Sequence, residues 1–301
     1  MRNGNRLYLI TGASGGLGRA FAEAALCAGE RVVGTVRSET DRVRFESLHA
    51  TAAKAVILDV RNFDSIESVV RQIEDDLGPI DVLVNNAGYG HEGVLEESPL
   101  DELIRQFEVN VFGAVAMIKA VLPGMRSRRS GHIINITSMA GHTGLPGIAY
   151  YCGSKFALEG ISDSLSKEVR ALGIRVTAVA PGSFRTEWAG RSMVRSERSI
   201  ADYDPIFDPV RQRRQEYSGH QAGDPTKAAQ AILRIVDAPE PPTHLLLGSD
   251  ARRLVEEHRK TLEREFEKWQ SVTRSTSFEQ QPQATEPTLT ADCNCRERAS
   301  N

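Results

Sequence analysis

Residues 7–18 read LYLITGASGGLG, in which a short apolar run leads directly into a turn that is rich in glycine. The residues that follow, 19–29, read RAFAEAALCAG and have the composition of a helix. A buried strand, a glycine turn and a helix in this order are typical of the first unit of a parallel α/β sheet. This stretch therefore predicts the fold class from the beginning of the chain.

The turn after the first strand has the glycine spacing GxxxGxG, with glycines at positions 12, 16 and 18. Such glycines permit a tight turn, let the backbone approach a pyrophosphate, and let the helix pack close to the strand. The first residues of the helix also present free backbone N–H groups that can bind phosphate. We therefore predict a dinucleotide-binding turn made of Gly12, Ser14, Gly15, Gly16, Leu17 and Gly18.

Six further strand-like runs follow residues 7–11, at 31–36, 54–58, 81–88, 132–138, 174–182 and 243–248. Their apolar character is nearly continuous rather than alternating, which indicates strands covered by helices on both faces. The alternation of strands with helical segments predicts a doubly wound parallel sheet of seven strands. Ligands bind beyond the carboxyl ends of the strands in such sheets, so the functional site is expected at that edge.

The overall composition is that of an ordinary globular protein. The 301 residues include 37 basic and 40 acidic side chains, for a net charge of −3. This balance supplies no basic field for phosphate, so we expect no nucleic-acid or membrane partner. Four scattered cysteines do not form a disulfide framework in a chain of this length, and neither a signal peptide nor a spanning apolar run is recognisable. We expect a cytoplasmic protein.

Changes in composition divide the chain into three parts. Residues 1–249 are expected to form one dinucleotide-binding and catalytic domain, and the polar segment 183–223 within it has the length of a lid, a pocket wall or a disordered loop. Residues 250–272 carry apolar side chains at helical spacing and predict a C-terminal amphipathic helix. Residues 273–301 are poor in apolar side chains, so we expect a disordered tail.

Three more motifs lie at the predicted edge of the sheet: NNAG at 85–88, Ser138 after the fifth strand, and YCGSK at 151–155. Together with TGASGGLG at 11–18 they resemble the short-chain dehydrogenase/reductase family, over roughly residues 6–250. The resemblance is to the compact, NADP-preferring ketone/alcohol oxidoreductases. It implies a Rossmann-like fold, a small-molecule carbonyl or alcohol substrate, and a homodimer or homotetramer.

Tyr151 and Lys155 form the expected catalytic pair. On a helix Lys155 lies only about 40° round from Tyr151, one turn away, whereas Tyr150 points elsewhere. A tyrosine can exchange the proton of a reacting carbonyl, and a nearby cation is expected to lower its pKa for that purpose. The family resemblance implies the same pair, with the lysine also holding the nicotinamide ribose.

Two further catalytic positions are assigned with the help of the resemblance. Ser138 stands 13 residues before Tyr151, the family's offset, and its hydroxyl can donate to the substrate carbonyl oxygen. Asn110 matches the family's fourth catalytic position, where it supports a water-mediated proton relay. Without that context, the serine could be a turn residue and the asparagine an ordinary polar helix residue.

The resemblance also implies the remaining cofactor contacts. Asn86, Ala87 and Gly88 match the segment beside the adenine ribose, while Asp59 and Val60 match the adenine contact. Asp59 has the alternative of capping the next helix, and Thr186 that of a simple loop hydroxyl. The loop that meets the nicotinamide carboxamide is matched by Pro181, Gly182 and Thr186.

The end of the second strand decides between NAD and NADP. An acidic residue there holds the ribose 2′-hydroxyl of NAD, whereas an arginine suits the 2′-phosphate of NADP. This chain has no acid at the strand end, Arg37 follows directly, and Ser38 or Ser14 can add hydrogen bonds. We therefore predict NADP, with NAD as the less favoured alternative.

The motifs together predict an NADP(H)-dependent oxidoreductase that interconverts a ketone or aldehyde with an alcohol by direct hydride transfer. The alternatives are a non-catalytic NADP(H)-binding redox sensor and an epimerase or dehydratase on the same fold. No spacing of His, Cys, Asp or Glu suggests a metal site. Residues 90–96, 139–147 and 183–223 are expected to build the substrate pocket, but the sequence does not identify the substrate.

Overall fold

The computed structural model describes residues 5–186, 188, 190 and 192–278. The strands within this part of the chain are β1 (Leu7–Ile10), β2 (Arg31–Val36), β3 (Ala53–Ile57), β4 (Val82–Asn85), β5 (Gly90–Glu92), β6 (Gly131–Ile136), β7 (Ile174–Pro181), β8 (Met193–Arg195) and β9 (His244–Leu247). Seven of them form one sheet in the order β3-β2-β1-β4-β6-β7-β9, and all neighbouring pairs are parallel. The predicted doubly wound, Rossmann-like sheet is confirmed.

The helices of the described residues are α1 (Gly16–Cys27), α2 (Glu39–Glu46), α3 (Phe63–Leu77), α4 (Leu100–Phe107), α5 (Gly113–Arg128), α6 (Ala149–Val169), α7 (Asp204–Glu216), α8 (Pro225–Asp237), α9 (Ser249–Lys268) and α10 (Gln270–Ser275). Two apolar cores account for the continuous apolar strands. One packs α1 and α8 on the sheet, and the other packs α3, α5 and the end of α6 on the sheet. Because helices cover both faces of the sheet, side chains that point to either face are buried.

The strand order reverses between β1 and β4. From β1 the chain proceeds outward to β2 and β3, and then returns to β4 on the other side of β1. The connections on the two sides of this point diverge, which opens a crevice beyond the carboxyl ends of the two strands. The glycine turn after β1 and the NNAG motif after β4 are therefore next to each other, as their strand positions predicted.

Three features were not predicted from the sequence. Strands β5 and β8 form a separate two-stranded parallel sheet. The segment 183–223 contains helix α7, although prolines at 205 and 209 suggested an irregular loop. Pro205 lies in the first turn of α7, where a missing N–H costs no hydrogen bond. Finally, α4 and α5 are joined by a π-helical turn over Glu108–Phe112.

The continuous helical run Leu100–Arg128 is long and apolar enough to cross a membrane by length and composition alone. Its residues Met117, Val121 and Met125 are fully buried in the core beneath the sheet. A core helix can meet the same criteria of length and composition as a spanning helix, and packing accounts for the apolar character of these three positions.

Two compact units are distinguished along the chain, one up to His258 and the other from Arg259 onward. Helix α9 begins in the first unit, and α10 lies in the second. The predicted C-terminal helix, 250–272, thus corresponds to α9 and the first half of α10. The predicted disordered tail, 273–301, begins within α10, and its part from residue 279 onward lies outside the described residues.

Candidate active site

The glycine turn after β1 has the backbone conformation that its glycines suggest. Gly12 and Gly16 have φ angles of +66° and +56°, in the left-handed region that side chains disfavour. At Gly18 a Cβ atom would lie 2.4 Å from Nδ2 of Asn86 and 2.6 Å from the carbonyl oxygen of Gly12. Gly18 therefore has no room for a side chain, and Gly12 and Gly16 have backbone angles that disfavour one.

Helix α1 begins at this turn without a side-chain cap. Its N-cap is Gly15, and the first helical hydrogen bond runs from the Arg19 N–H to the Gly15 carbonyl oxygen at 3.2 Å. The N–H groups of the first helical turn thus have no partner within the helix, and Ser14 and Gly16 are exposed beside them. Free N–H groups, the positive end of the helix and the missing Cβ atoms fit a pyrophosphate.

The NNAG segment is docked on the glycine turn. The side-chain amide of Asn86 donates to the carbonyl oxygens of Thr11 and Gly12 at 2.9 and 3.2 Å. The backbone N–H groups of Asn86 and Ala87 both donate to Oγ1 of Thr11 at 3.0 Å. These bonds join the ends of β1 and β4 into one rigid floor for the crevice.

The π-helical turn carries Asn110, which is 1% exposed. Its Nδ2 donates to the Tyr89 carbonyl oxygen at 3.0 Å and to Oγ of Ser154 at 3.1 Å, while its Oδ1 accepts from the Tyr89 N–H at 3.1 Å. A Cβ on Gly88 would lie 3.1 Å from this Oδ1 and 3.6 Å from Nζ of Lys155. Asn110, Gly88 and Lys155 therefore meet at one place, as predicted.

Ser138 and Tyr151 meet at the carboxyl end of β6. The Ser138 hydroxyl accepts from the Ala140 N–H at 3.1 Å and so caps a short 3-10 turn over Met139–Gly141. Burial raises the pKa of Tyr151 to about 12, although hydrogen bonding with Ser138 lowers it. The phenol is therefore protonated at neutral pH, and it can act as a proton donor.

Lys155 lies on the same face of α6 as Tyr151, with Nζ 5.7 Å from the centre of the tyrosine ring. Its ammonium group donates to the Ile136 carbonyl oxygen at 2.8 Å, and burial lowers its pKa to about 8. The expectation that Lys155 lowers the pKa of Tyr151 is wrong, because hydrogen bonding with Ser138 is what lowers that pKa and burial outweighs this effect.

Tyr150 is used differently, as the helical geometry predicted. Its hydroxyl donates to the Ser98 carbonyl oxygen at 2.7 Å, and its ring stacks on His91 at 5.0 Å between centroids. It therefore anchors α6 to the segment after β5 and is directed away from Ser138.

An apolar wall surrounds the Tyr151 ring. Trp188 packs on it with 5.1 Å between ring centroids, and the wall is completed by Ala140, Leu145, Ile148 and Cys152. Ala140, Leu145 and Trp188 come from two of the segments predicted to build the substrate pocket, whereas Ile148 and Cys152 lie outside those segments. The wall can accept an apolar group next to the proton-donating phenol.

The outer end of the crevice holds the residues expected at the adenosine half of a dinucleotide. Arg37 is exposed directly after β2. Ser38 caps α2, and its hydroxyl accepts from the Asp41 N–H at 3.1 Å. Asp59 is not the cap of α3, a position taken by Asn62. Instead it is paired with Arg61 at 2.7 Å, a hydrogen bond that lowers the pKa of its carboxyl group.

The remaining predicted contacts lie as follows. Val60 is buried against Gly113 at the start of α5. Gly182 follows β7, and the Asp250 side chain lies against it. Oδ2 of Asp250 accepts a hydrogen bond from the backbone N–H of the next residue, Ser183, at 2.7 Å. Thr186 lies next to the glycine turn, because a Cβ atom added to Gly16 would be 3.8 Å from the Cβ atom of Thr186. The loop after β7 thus approaches the phosphate-binding turn.

One residue near the site was missed by sequence reasoning. Glu92 is 1% exposed, and its carboxylate accepts hydrogen bonds from Arg214 of α7 and, at 3.1 Å, from Arg195 of β8. Arg211 lies 3.7 Å away. These contacts hold α7 against β5. More than 100 residues separate Glu92 from these arginines, so no local pattern could have revealed the pairing.

Comparison with known proteins agrees with this geometry. The short chain dehydrogenase family model matches residues 6–195. An oxidoreductase of Botryotinia fuckeliana is 34% identical over 274 residues, which cover 90% of this chain and 99% of that protein.

Two solved structures are also similar. The crystal structure of a short-chain dehydrogenase from Streptomyces avermitilis is 38% identical, with a TM-score of 0.85, over 91% of this chain and 99% of that one. A short-chain dehydrogenase/reductase from Burkholderia phymatum, in complex with NAD, is 25% identical, with a TM-score of 0.77, over 88% and 96% of the two chains.

Proposed function

The chain belongs to the short-chain dehydrogenase/reductase family and is an oxidoreductase of that type, and from this premise we propose that it is an NADP(H)-dependent enzyme that interconverts a ketone or aldehyde with an alcohol. The observation that carries the proposal is the meeting of Ser138, Tyr151, Lys155 and Asn110 at one end of the sheet, beneath an apolar wall. When bound, the cofactor supplies or accepts a hydride at its nicotinamide ring.

The chain's own residues handle the proton and the oxygen. In the reducing direction, the substrate carbonyl carbon gains a hydride and its oxygen gains the proton of the Tyr151 hydroxyl. Ser138 donates a hydrogen bond to that oxygen and orients it. Lys155 would bind a hydroxyl group of the cofactor's ribose. Together with Asn110, it would also line the path by which the phenol regains its proton.

The proposed preference for NADP(H) favours reduction as the physiological direction. A phenol whose pKa burial raises to about 12 retains its proton at neutral pH, so Tyr151 can donate it to a carbonyl oxygen. The apolar wall formed by Leu145, Ile148 and Trp188 further suggests that the carbonyl substrate has an apolar part next to the reacting carbon.

Arg37 supports the choice of NADP. It is exposed directly after β2, where the 2′ position of an adenine ribose is expected, and no carboxylate occupies the strand end. A guanidinium can bind a phosphate with two parallel hydrogen bonds, which NAD cannot offer at this position. The related enzyme from Burkholderia phymatum was crystallised in complex with NAD.

The second candidate is a non-catalytic NADP(H)-binding sensor. Such a sensor would use the same phosphate-binding turn, but its Tyr151 and Lys155 side chains would have no catalytic role. An epimerase or dehydratase on this fold is the third candidate. The sensor is less favoured than a reductase because the buried proton donor and its serine are intact. The epimerase or dehydratase is less favoured because the glycine turn reads GxxxGxG, and not the GxxGxxG that is usual in the larger sugar-modifying relatives.

The proposal includes a homodimer or homotetramer in the cytoplasm. Four large apolar side chains are exposed on α4, α6 and the π-helical turn, namely Leu100, Ile104, Phe112 and Phe156. A patch of this kind suits a contact between subunits. Both described cysteines, Cys27 and Cys152, are free thiols, which suits a reducing compartment.

The test is a panel of ketones and aldehydes, with oxidation of NADPH or NADH followed by absorbance. Tyr151→Phe should lower kcat by about 10²–10⁴-fold and leave NADPH binding, measured by fluorescence, unchanged. Tyr150→Phe is the matched control and should keep turnover. Wild-type turnover in the Tyr151 variant would overturn the mechanism, and NADPH binding without turnover on any substrate would favour the sensor.

A further inference from the structure

A buried carboxylate lies one helical turn beyond the proposed catalytic lysine. Glu159 follows Lys155 by four residues on α6, so both side chains are on the same face of the helix. Glu159 is 6% exposed, and the chemistry described above does not use it. A buried carboxylate is costly unless other groups compensate its charge, so its surroundings require an explanation.

The first set of contacts comes from the turn that begins at Ser138. The hydroxyl of Thr137, the residue before Ser138, hydrogen-bonds to Oε1 of Glu159. Nε2 of His142, at the end of the same turn, lies 3.1 Å from that oxygen. Between them, a Cβ on Gly141 would be 3.1 Å from Cγ of Glu159 and 2.9 Å from the Lys155 carbonyl oxygen. The turn that begins at Ser138 therefore packs directly against the side chain of Glu159.

The second set of contacts comes from β9 and leads to the surface. Nδ1 of His244 lies 2.8 Å from Oε2 of Glu159, and its Nε2 lies 3.4 Å from Oδ1 of Asp163. Asp163 is also paired with Lys167 at 2.6 Å. His244 is exposed, so the buried carboxylate is joined to solvent through one imidazole ring.

The electrostatics agree with these contacts. Burial alone would raise the pKa of Glu159, but the nearby His142 ring and hydrogen bonds with Thr137 and His244 outweigh burial and hold that pKa below its usual value. Glu159 is therefore ionised at neutral pH. Its negative charge raises the pKa of Lys155 and so opposes the effect of burial, which lowers it.

We propose that Glu159 is a positioning residue that serves both halves of the proposed catalytic set. Its buried carboxylate places a negative charge one helical turn from Lys155 on the same face of α6, and it fastens the Ser138 turn to that helix. The titratable groups that face it are Lys155 and Asp163 from its own helix, His142 from the turn and His244 from β9. This inference rests on the proposed function of Lys155 and Ser138.

The experiment compares Glu159→Gln, Glu159→Asp and the exposed control Glu168→Gln on the same helix. In the pH profile of kcat/KM for carbonyl reduction, the alkaline limb of Glu159→Gln should move by about one pH unit to lower pH, because Lys155 loses its counter-charge. Glu159→Asp should give an intermediate profile, and Glu168→Gln should match the wild type. A Glu159→Gln profile that coincides with the wild-type profile would overturn the proposal.

A readout without turnover separates this inference from the proposed function. The free energy of unfolding, measured with urea, begins to rise at the pH where folded Lys155 loses its proton, because the unfolded chain then takes one up. This onset should also move to lower pH in Glu159→Gln. If this shift occurs but no substrate is turned over, the proposed function fails and the counter-charge stands. If Glu159→Gln does not fold, Glu159→Asp tests the inference, and an unshifted profile in that variant overturns it.

Discussion

Nζ of Lys155 donates to the carbonyl oxygen of Ile136 at 2.8 Å. This bond fixes the ammonium group at the carboxyl end of β6, 5.7 Å from the centre of the Tyr151 ring. The lysine thereby satisfies a strand-end carbonyl and stands between the tyrosine and the π-helical turn that holds Asn110. Its burial has a measurable consequence for the protein's stability.

The stability of the protein should rise with pH as Lys155 loses its proton. Burial lowers the pKa of this lysine from 10.5 to about 8 in the folded protein. Between these two pH values the unfolded chain holds a proton that the folded protein lacks, so the free energy of unfolding increases by up to about 1.4 kcal/mol per pH unit. Urea unfolding measured from pH 7 to pH 10 should show this rise.

Lys155→Met should remove that rise, because the variant has no proton to take up at this position. Lys119→Met, at an exposed position of α5, is the control and should retain it. Equal slopes in Lys155→Met and the wild type would show that another group is responsible.

Arg37→Ala should weaken NADPH binding by about 10–100-fold, since a hydrogen-bonded charge contributes about 1.5–3 kcal/mol. NADH binding should be unchanged, because NADH lacks the 2′-phosphate. Fluorescence titration with both cofactors measures the two dissociation constants. Arg44→Ala, exposed on α2, is the control. An equal loss for both cofactors would refute the assignment of Arg37 to the 2′-phosphate.

Gly18→Ala should destabilise the protein by about 1–3 kcal/mol and weaken binding of either cofactor. The new methyl group would lie 2.6 Å from the backbone oxygen of Gly12, which cannot rotate away as a side chain can. Gly160→Ala is a matched control within α6, where nothing lies within 4 Å of a Cβ. That change should stabilise the protein by about 0.5–1 kcal/mol. Thermal unfolding and cofactor titration measure both effects.

Glu92→Gln should lower the free energy of unfolding by about 1.5–3 kcal/mol, because it removes the buried negative charge that accepts hydrogen bonds from partly exposed guanidinium groups. Helix α7 should then detach more readily from β5. Hydrogen exchange of residues 204–216 measures this opening, and KM for the carbonyl substrate should rise with it. Glu67→Gln removes an exposed ion pair on α3 and should have little effect. Unchanged exchange in α7 would contradict a role for Glu92 in holding it.

Short-range patterns were sufficient for the sheet and for most of the phosphate-binding turn. Continuous apolar strands require cover on both faces, and Gly12 and Gly16 adopt left-handed backbone angles within the turn itself. The choice of Tyr151 over Tyr150 also followed from helical periodicity, since only one of the two can share a face with Lys155. For these features the physical cause acts over a few residues.

Other features depended on groups that are distant in sequence. The pKa of Tyr151 follows from how deeply β6 and α6 bury it, and the sequence analysis expected Lys155 to lower that pKa. The π-helical turn at Asn110 is stabilised by contacts with Tyr89 and Ser154. No local preference encodes these contacts.

By itself, the sequence determined the fold class, the glycine turn and the identity of the candidate catalytic side chains, because periodicity and steric fit are local properties of a chain. Only the tertiary structure decided which charges compensate one another. Glu92 is paired with arginines more than 100 residues away, and Glu159 joins α6 to the Ser138 turn and to β9. Burial and long-range pairing set the energy of a charge, and both exist only after the strands and helices have packed.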